Sequence, residues 1–175
     1  MANQRLTDKS ALASNTGTGD LFLIVDVNDT TGSAAGTSKK LDSSYVIQTD
    51  IISVTNGELQ ALAGSPRTLI SAPGSGYGII PISVLAFFDY QSTTQGTKVN
   101  TYVGHTGSGA YAWGTIAGTM HGITTDMTYP FAPSAGVPTT NASIDDRAFE
   151  MHSSANFTND MTAKIFVTYQ ILKLT

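Results

Sequence analysis

The chain has no cysteine, so neither a disulfide framework nor thiol chemistry is open to it. Charge is also scarce. Charged residues are 13% of the 175 positions against 41% hydrophobic, which leaves hydroxyls and small side chains to form most of the surface. The charge that exists sums to −4, with a pI near 5.1, and excludes a large basic footprint for nucleic acid or an anionic membrane. Neither half makes up the deficit: residues 1–50 hold Arg5, Lys9, Lys39 and Lys40 against Asp8, Asp20, Asp26, Asp29, Asp42 and Asp50, a net of −2, and the remainder carries −2. No stretch approaches the ~20 apolar residues that span a bilayer, so membrane insertion is not expected. The opening MANQRLTDKS has no apolar run behind its charges, unlike a secretory signal, and the expectation is a chain made and soluble in a cytoplasm. Three Asn-X-Ser/Thr triplets, at Asn28, Asn141 and Asn156, arise by chance in a Thr-rich chain and mean little without secretion.

What the sequence does contain is turns and short apolar segments. The stretch TLISAPGSGYGIIPISVLAFFDY, residues 68–90, sets a Pro/Gly corner, Pro73 to Gly78, between a short apolar segment and a long one rich in Ile, Val and Phe. It predicts one strand, a tight corner, and a second strand too apolar to have a fully wet face. Upstream, DLFLIVDVNDTTG (20–32) and GTSKKL (36–41) predict a β-hairpin with a loose loop, preceded by a polar arm over residues 1–19. Asp42, Ser43 or Ser44 then caps a short helical turn through Tyr45, Val46 and Ile47. A hairpin plus one turn is marginal alone and must pack on something else.

The character changes at Ile51. After IISVT, NGELQAL suits one helical turn. In KVNTYVGH (98–105), Val99, Thr101 and Val103 share one face and Lys98, Asn100 and Tyr102 the other, the alternation of a strand with one buried face. RAFEMHSS (147–154) gives a further strand with Phe149 and Met151 inward. The clearest strand is AKIFVTYQILKL (163–174): Ile165, Val167, Tyr169 and Ile171 lie on one face, and Lys164, Thr168 and Gln170 on the other with Phe166 and Leu172. Several short strands without a long amphipathic helix define the expected fold class: all-β, an antiparallel β-sandwich or jelly roll over 51–175, with an N-terminal arm and β-hairpin module over 1–48. The segment 106–144, with Asp126 as its only charge and Tyr111, Trp113, Tyr129 and Phe131 as aromatics, reads either as short strands with long loops or as a surface covered by other subunits.

Four constellations bear on chemistry. Gly74, Gly76 and Gly78 superficially match a phosphate-cradling loop, but a dinucleotide fingerprint needs a helix directly after the glycines, and Ile79 to Phe88 reads as a strand containing Pro81. A corner needing positive φ explains them better. His105, His121 and His152 lack metal-ligand spacing, and zinc needs three or four converging ligands, so hydrogen-bonded or exposed histidines are expected. A threefold axis, bringing one histidine from every subunit, is the remaining route to a site. Asp145, Asp146 and Glu150 cluster beside Arg147, but adjacent carboxylates on a strand point to opposite faces, which favours a solvated turn with a local ion pair over a glycosidase pair. Tyr111, Trp113, Tyr129 and Phe131 suit a β core or subunit interface before a sugar-stacking platform. No G-x-S-x-G elbow, Walker loop or H-E-x-x-H occurs; the expectation is no enzyme, no catalytic or metal residue and no cofactor.

Two segments carry a family resemblance. LTDKSALASNTGTGDLFLIVDVNDTTGSAAGTSKKLDSSYVI (6–47) resembles the attachment module near the start of phage fibre proteins: a polar lead, an acidic residue before an apolar strand, a Thr/Gly turn, Gly-Thr-Ser-Lys-Lys and a short capped turn. ELQALAGSPRTLISAPGSGYGIIPISV (58–84) is similar to a segment of small structural proteins of tailed bacteriophages that continues into a β-sandwich. The resemblance stops at Val84. It implies a virion structural protein, a homotrimer contacting other virion proteins through residues 1–48 with the β-sandwich projecting outward; apart from the resemblance, the aromatics of 106–144 make a host-surface glycan the further partner to consider. The short chain fits a head fibre, a capsid decoration protein or a tail-associated adaptor better than a full tail fibre. A carbohydrate-binding receptor-recognition module is the alternative.

Overall fold

A computed structural model of the chain describes residues 21–26, 28, 31, 37–42, 46–105, 112–118, 122–133 and 144–174. The polar arm expected over 1–19 lies outside the described residues, as do Ser43, Ser44 and Tyr45 of the expected helical turn.

The N-terminal hairpin forms as read. Strand β1 (Leu21–Asp26) pairs antiparallel with β2 (Thr37–Asp42), from Leu21 opposite Asp42 to Asp26 opposite Thr37. These strands make a two-stranded sheet of their own, and among the described residues no strand of the larger sheets pairs with either. Everything else described belongs to a β-sandwich. One sheet is four-stranded, in the order β3 (Gln48–Val54), β11 (Met161–Lys173), β5 (Tyr77–Tyr90), β8 (Met127–Pro130). The other is five-stranded, in the order β4 (Arg67–Ile70), β10 (Phe149–Ser153), β6 (Thr101–His105), β7 (Ala112–Ile116), β9 (Ala132–Pro133). Every pairing is antiparallel. The change of character at Ile51 falls inside β3, which begins at Gln48.

The core follows from period-two alternation. On β11, Met161, Ala163, Ile165, Val167, Tyr169 and Ile171 are buried, and opposite them Val103, Phe149 and Met151 are buried from the five-stranded sheet. Val99 and Thr101 lie on the same buried face as Val103, although the strand starts only at Thr101. Each fully buried side chain of this size contributes about 1.5–3 kcal/mol by leaving water. A short helix, α1 (Asn56–Ala61), follows β3 and packs beside β11 with Leu59 buried. Its start is set by a capping box: the Thr55 hydroxyl accepts from the Glu58 N–H, and Glu58 Oε2 accepts from the Thr55 N–H at 2.8 Å.

Two local devices move the chain between sheets. Strand β4 lies in the five-stranded sheet and β5 in the four-stranded one, so the corner after Ile70 is a crossing, and Gly74 (φ +100°) and Gly76 (φ +83°) take the positive φ it needs. The crossing from β8 to β9 needs one residue. Phe131, buried between β8 and β9, donates its N–H to the Val84 carbonyl at 2.9 Å, and a Cβ on Gly114 of β7 would come within 3.0 Å of the Phe131 Cβ. Only glycine admits so close an approach.

Strand β5 tolerates Pro81 because the register slips there. Thr168 faces Ser83 and Tyr169 faces Pro81, which leaves Ile82 as an extra, bulged residue. On its other side β5 pairs with β8 only over Leu85–Phe88, so Pro81 costs no ladder bond there. The long strand does present apolar side chains to solvent: Ile82 and Leu85 are 47% and 38% exposed.

Candidate functional site

The glycine corner and the acidic cluster, separate motifs in sequence, meet in space. Asp145 Oδ1 accepts the Gly76 N–H at 2.7 Å, and Asp146 Oδ1 accepts the Gly74 N–H at 3.0 Å. The backbone completes the clasp: Asp146 N–H donates to the Tyr77 carbonyl at 3.0 Å, and Leu174 N–H to the Gly76 carbonyl at 2.8 Å. Asp146 itself has φ +50°, a left-handed conformation that Asp tolerates better than most residues. The amides that a phosphate would seek already hold carboxylates of the same chain. Those carboxylates take backbone amides as partners where the sequence suggested an ion pair with Arg147. Glu150 does not join them; it lies on β10 with its side chain turned from the core, between inward Phe149 and Met151. The cluster is a fastener between the corner and the β9–β10 connection.

The two described histidines play different parts, and His121 lies outside the described residues. His105, at the end of β6, is 5% exposed, and its Nε2 lies 2.9 Å from the Ile79 carbonyl of β5. A carbonyl only accepts, so Nε2 carries the proton and the bond ties one sheet to the other. Burial pushes the ring's pKa below the usual histidine value, with the Ile79 bond opposing the shift. The ring also meets Phe149 edge-on at 5.5 Å. His152 lies on the outer face of the five-stranded sheet, stacked on Tyr102 at 4.9 Å and 22°. Its pKa is also lowered, by loss of hydration, and its Nε2 is buried with no partner among the described residues. No three His, Cys, Asp or Glu groups converge on a metal geometry among the described residues.

The aromatics of 106–144 are distributed along the core edge. Trp113 meets Phe149 edge-on at 6.3 Å, Tyr129 meets Phe88 edge-on at 6.2 Å, and Phe131 is buried; Tyr111 lies outside the described residues. Short strands β7, β8 and β9 account for the described part of this segment. Sequence reading passed over Gln95, which is 1% exposed and organises the loop between β5 and β6. Its Nε2 donates to the Thr97 carbonyl at 3.0 Å and its Oε1 accepts the Thr158 N–H at 2.8 Å. A cleft between α1 and β4, lined by Gly57, Glu58, Ser65, Pro66 and Arg67, was equally silent in the sequence. Arg67 and Glu58 pair across it at 3.3 Å, and the Thr55 N–H bond holds the Glu58 carboxyl below the usual carboxylate range.

No family model and no curated protein matches this chain. Among solved structures it is similar to a chain of the Cyanophage Pam1 capsid asymmetric unit, at 14% identity over 97% of this chain and 99% of that one, with a TM-score of 0.46. It is also similar to a chain of the capsid of Ralstonia phage GP4, at 13% identity over 72% of this chain and 84% of that one, with a TM-score of 0.43.

Proposed function

We propose that this chain is a non-enzymatic structural protein of a tailed-bacteriophage virion, a surface-projecting homotrimer of the head-fibre or capsid-decoration kind anchored through residues 1–48. The observation that carries the reading is the N-terminal hairpin. It coincides with the segment that resembles a fibre attachment module, and among the described residues it pairs with no strand of the sandwich. Two strands alone are marginal in water, so this module needs a surface to pack on, and an attachment site on the particle would supply one. The non-enzymatic part rests on where the reactive groups went: Asp145 and Asp146 are committed to the corner amides, and His105 to a carbonyl between the sheets. The low charge suits a surface shared with identical neighbours. Glycan binding by Trp113 and Tyr129 has less support, because both rings lean on the core.

The test is incorporation into particles. Deleting residues 1–48 is expected to leave a β-type circular dichroism spectrum and to abolish co-sedimentation with virions that the full chain shows. Co-sedimentation of the truncated chain at the full-length level, or of neither form, contradicts the proposal.

A further inference from the structure

Resting on the homo-oligomeric reading above, we infer that the outer face of the four-stranded sheet is the surface through which copies of this chain pack on one another. The pairing registers place Ile51 opposite Phe166, Phe166 opposite Leu85, and Leu85 opposite Pro130. These four residues form one apolar row across all four strands, on the side away from the core. Ile51 is 62% and Leu85 38% exposed, Pro130 is exposed and Phe166 half-buried. Two further apolar residues of these strands and their approach are exposed, the bulged Ile82 at 47% and Ile47, just before β3, at 61%. A contiguous patch of this kind marks an interaction site, whereas single exposed apolar residues do not.

Charge selects the occupant. Across the outward positions of β3, β11, β5 and β8, from Thr49 through Ser53, Thr162 through Gln170, Ser83 through Asp89, and Thr128 with Pro130, the charged residues are Lys164 and Asp89. One is positive and one negative, so the face is neutral within a chain of net charge −4. An anionic membrane or a nucleic acid needs clustered cations, and a single lysine beside an aspartate does not supply them. Three copies that turn this face to a common axis bring apolar row against apolar row, and each adds one lysine and one aspartate to the contact. That is the composition of an interface core: apolar and aromatic at the centre, charge-poor, with the few charges balanced in sign. Among the described residues, the outer face of the five-stranded sheet has no such row. Its described residues include Glu150, Thr68, Thr115 and the stacked Tyr102 and His152, and Asn100 Nδ2 donates to the Tyr102 hydroxyl at 3.3 Å.

The absence of native cysteine makes the test direct. A single thiol is placed on each face of the intact chain, by Leu85→Cys on the proposed contact and by Thr68→Cys on the other sheet, and each variant is treated with a short bis-maleimide at micromolar concentration. Leu85→Cys is expected to give a covalent two-chain species as its main product, and Thr68→Cys to remain single. In parallel, Leu85→Lys is expected to reduce the native mass from three chains to one of 18.3 kDa without loss of the β spectrum. Leu85→Thr, which keeps a strand-forming residue, is the second variant if the lysine impairs folding, with the same expected loss of mass. A parent chain that is monomeric overturns both the homo-oligomeric reading and this inference. A trimeric parent in which Leu85→Cys crosslinks no more than Thr68→Cys overturns the contact face alone.

Discussion

The two sheets of the sandwich bury their inner faces alike and differ on the outside. The five-stranded sheet turns outward Thr68, Glu150, Tyr102, His152 and Thr115, whereas the four-stranded sheet turns outward Ile51, Phe166, Leu85 and Pro130. Solvent alone gives no reason for the difference, since a lone sandwich gains from polar residues on both outer faces. The difference separates two demands on one sequence: the inner faces specify the fold, and the apolar outer face is the surface that the proposed packing of copies would cover.

The largest expected effect comes from the inner face. Phe88→Ala empties a site with no solvent exposure and is expected to cost about 3–5 kcal/mol, read as a lower midpoint of denaturant unfolding. Truncating the outward neighbour of that position, by Phe87→Ala, is expected to leave most of the folding stability intact. Equal losses at Phe87 and Phe88 would erase the distinction between the two faces.

The next effect tests how the sheets are joined. Gly76 holds φ +83°, so Gly76→Val places a β-branched side chain in a left-handed conformation and is expected to destabilise by roughly 1–2 kcal/mol. Asp145→Ala removes the acceptor of the Gly76 N–H and is expected to cost a similar amount, about 1–2 kcal/mol, with the double variant costing less than the sum. Binding of a nucleotide to the parent, lost in Gly76→Val, would reverse the structural reading of the corner.

A smaller effect appears with pH. Burial lowers the pKa of His105 below its unfolded value of about 6.5, so the unfolded chain binds the proton first as pH falls. Stability from this group is therefore present in full above about pH 7 and is lost as pH falls through the folded pKa. His152 shifts in the same direction and adds to the decline. Unfolding midpoints between pH 7.5 and pH 5 are expected to drop in the parent and to drop less in His105→Gln, which keeps a donor for the Ile79 carbonyl. A midpoint that rises on acidification would contradict the assignment.

The smallest effect lies at α1. Thr55→Ala removes the capping hydroxyl and is expected to cost about 1 kcal/mol, measured by thermal unfolding, without changing assembly.

Much of this was legible in local sequence. Alternation in residues 163–174 gave the buried face of β11 residue by residue, the Asn-Asp-Thr-Thr-Gly turn gave the hairpin, and Gly74 and Gly76 gave the corner. What local sequence does not carry is partnership over distance. Asp145 and Asp146 look like a carboxylate pair until they are seen to hold amides 69 and 72 residues earlier. The outer apolar row was hidden for the same reason. Ile51, Leu85, Phe166 and Pro130 come from four strands, and only the sheet order and register align them. Phe131 read as one aromatic in a loose segment, although it alone links β8 of one sheet to β9 of the other.

The most direct test of the asymmetry is hydroxyl-radical footprinting of the intact chain at micromolar concentration, compared with the Leu85→Lys variant. The account expects Ile51 and Phe166 to be strongly protected in the parent and oxidised in the variant, while Tyr102 and His152 react equally in both. Equal oxidation of Ile51 and Phe166 in parent and variant would contradict it.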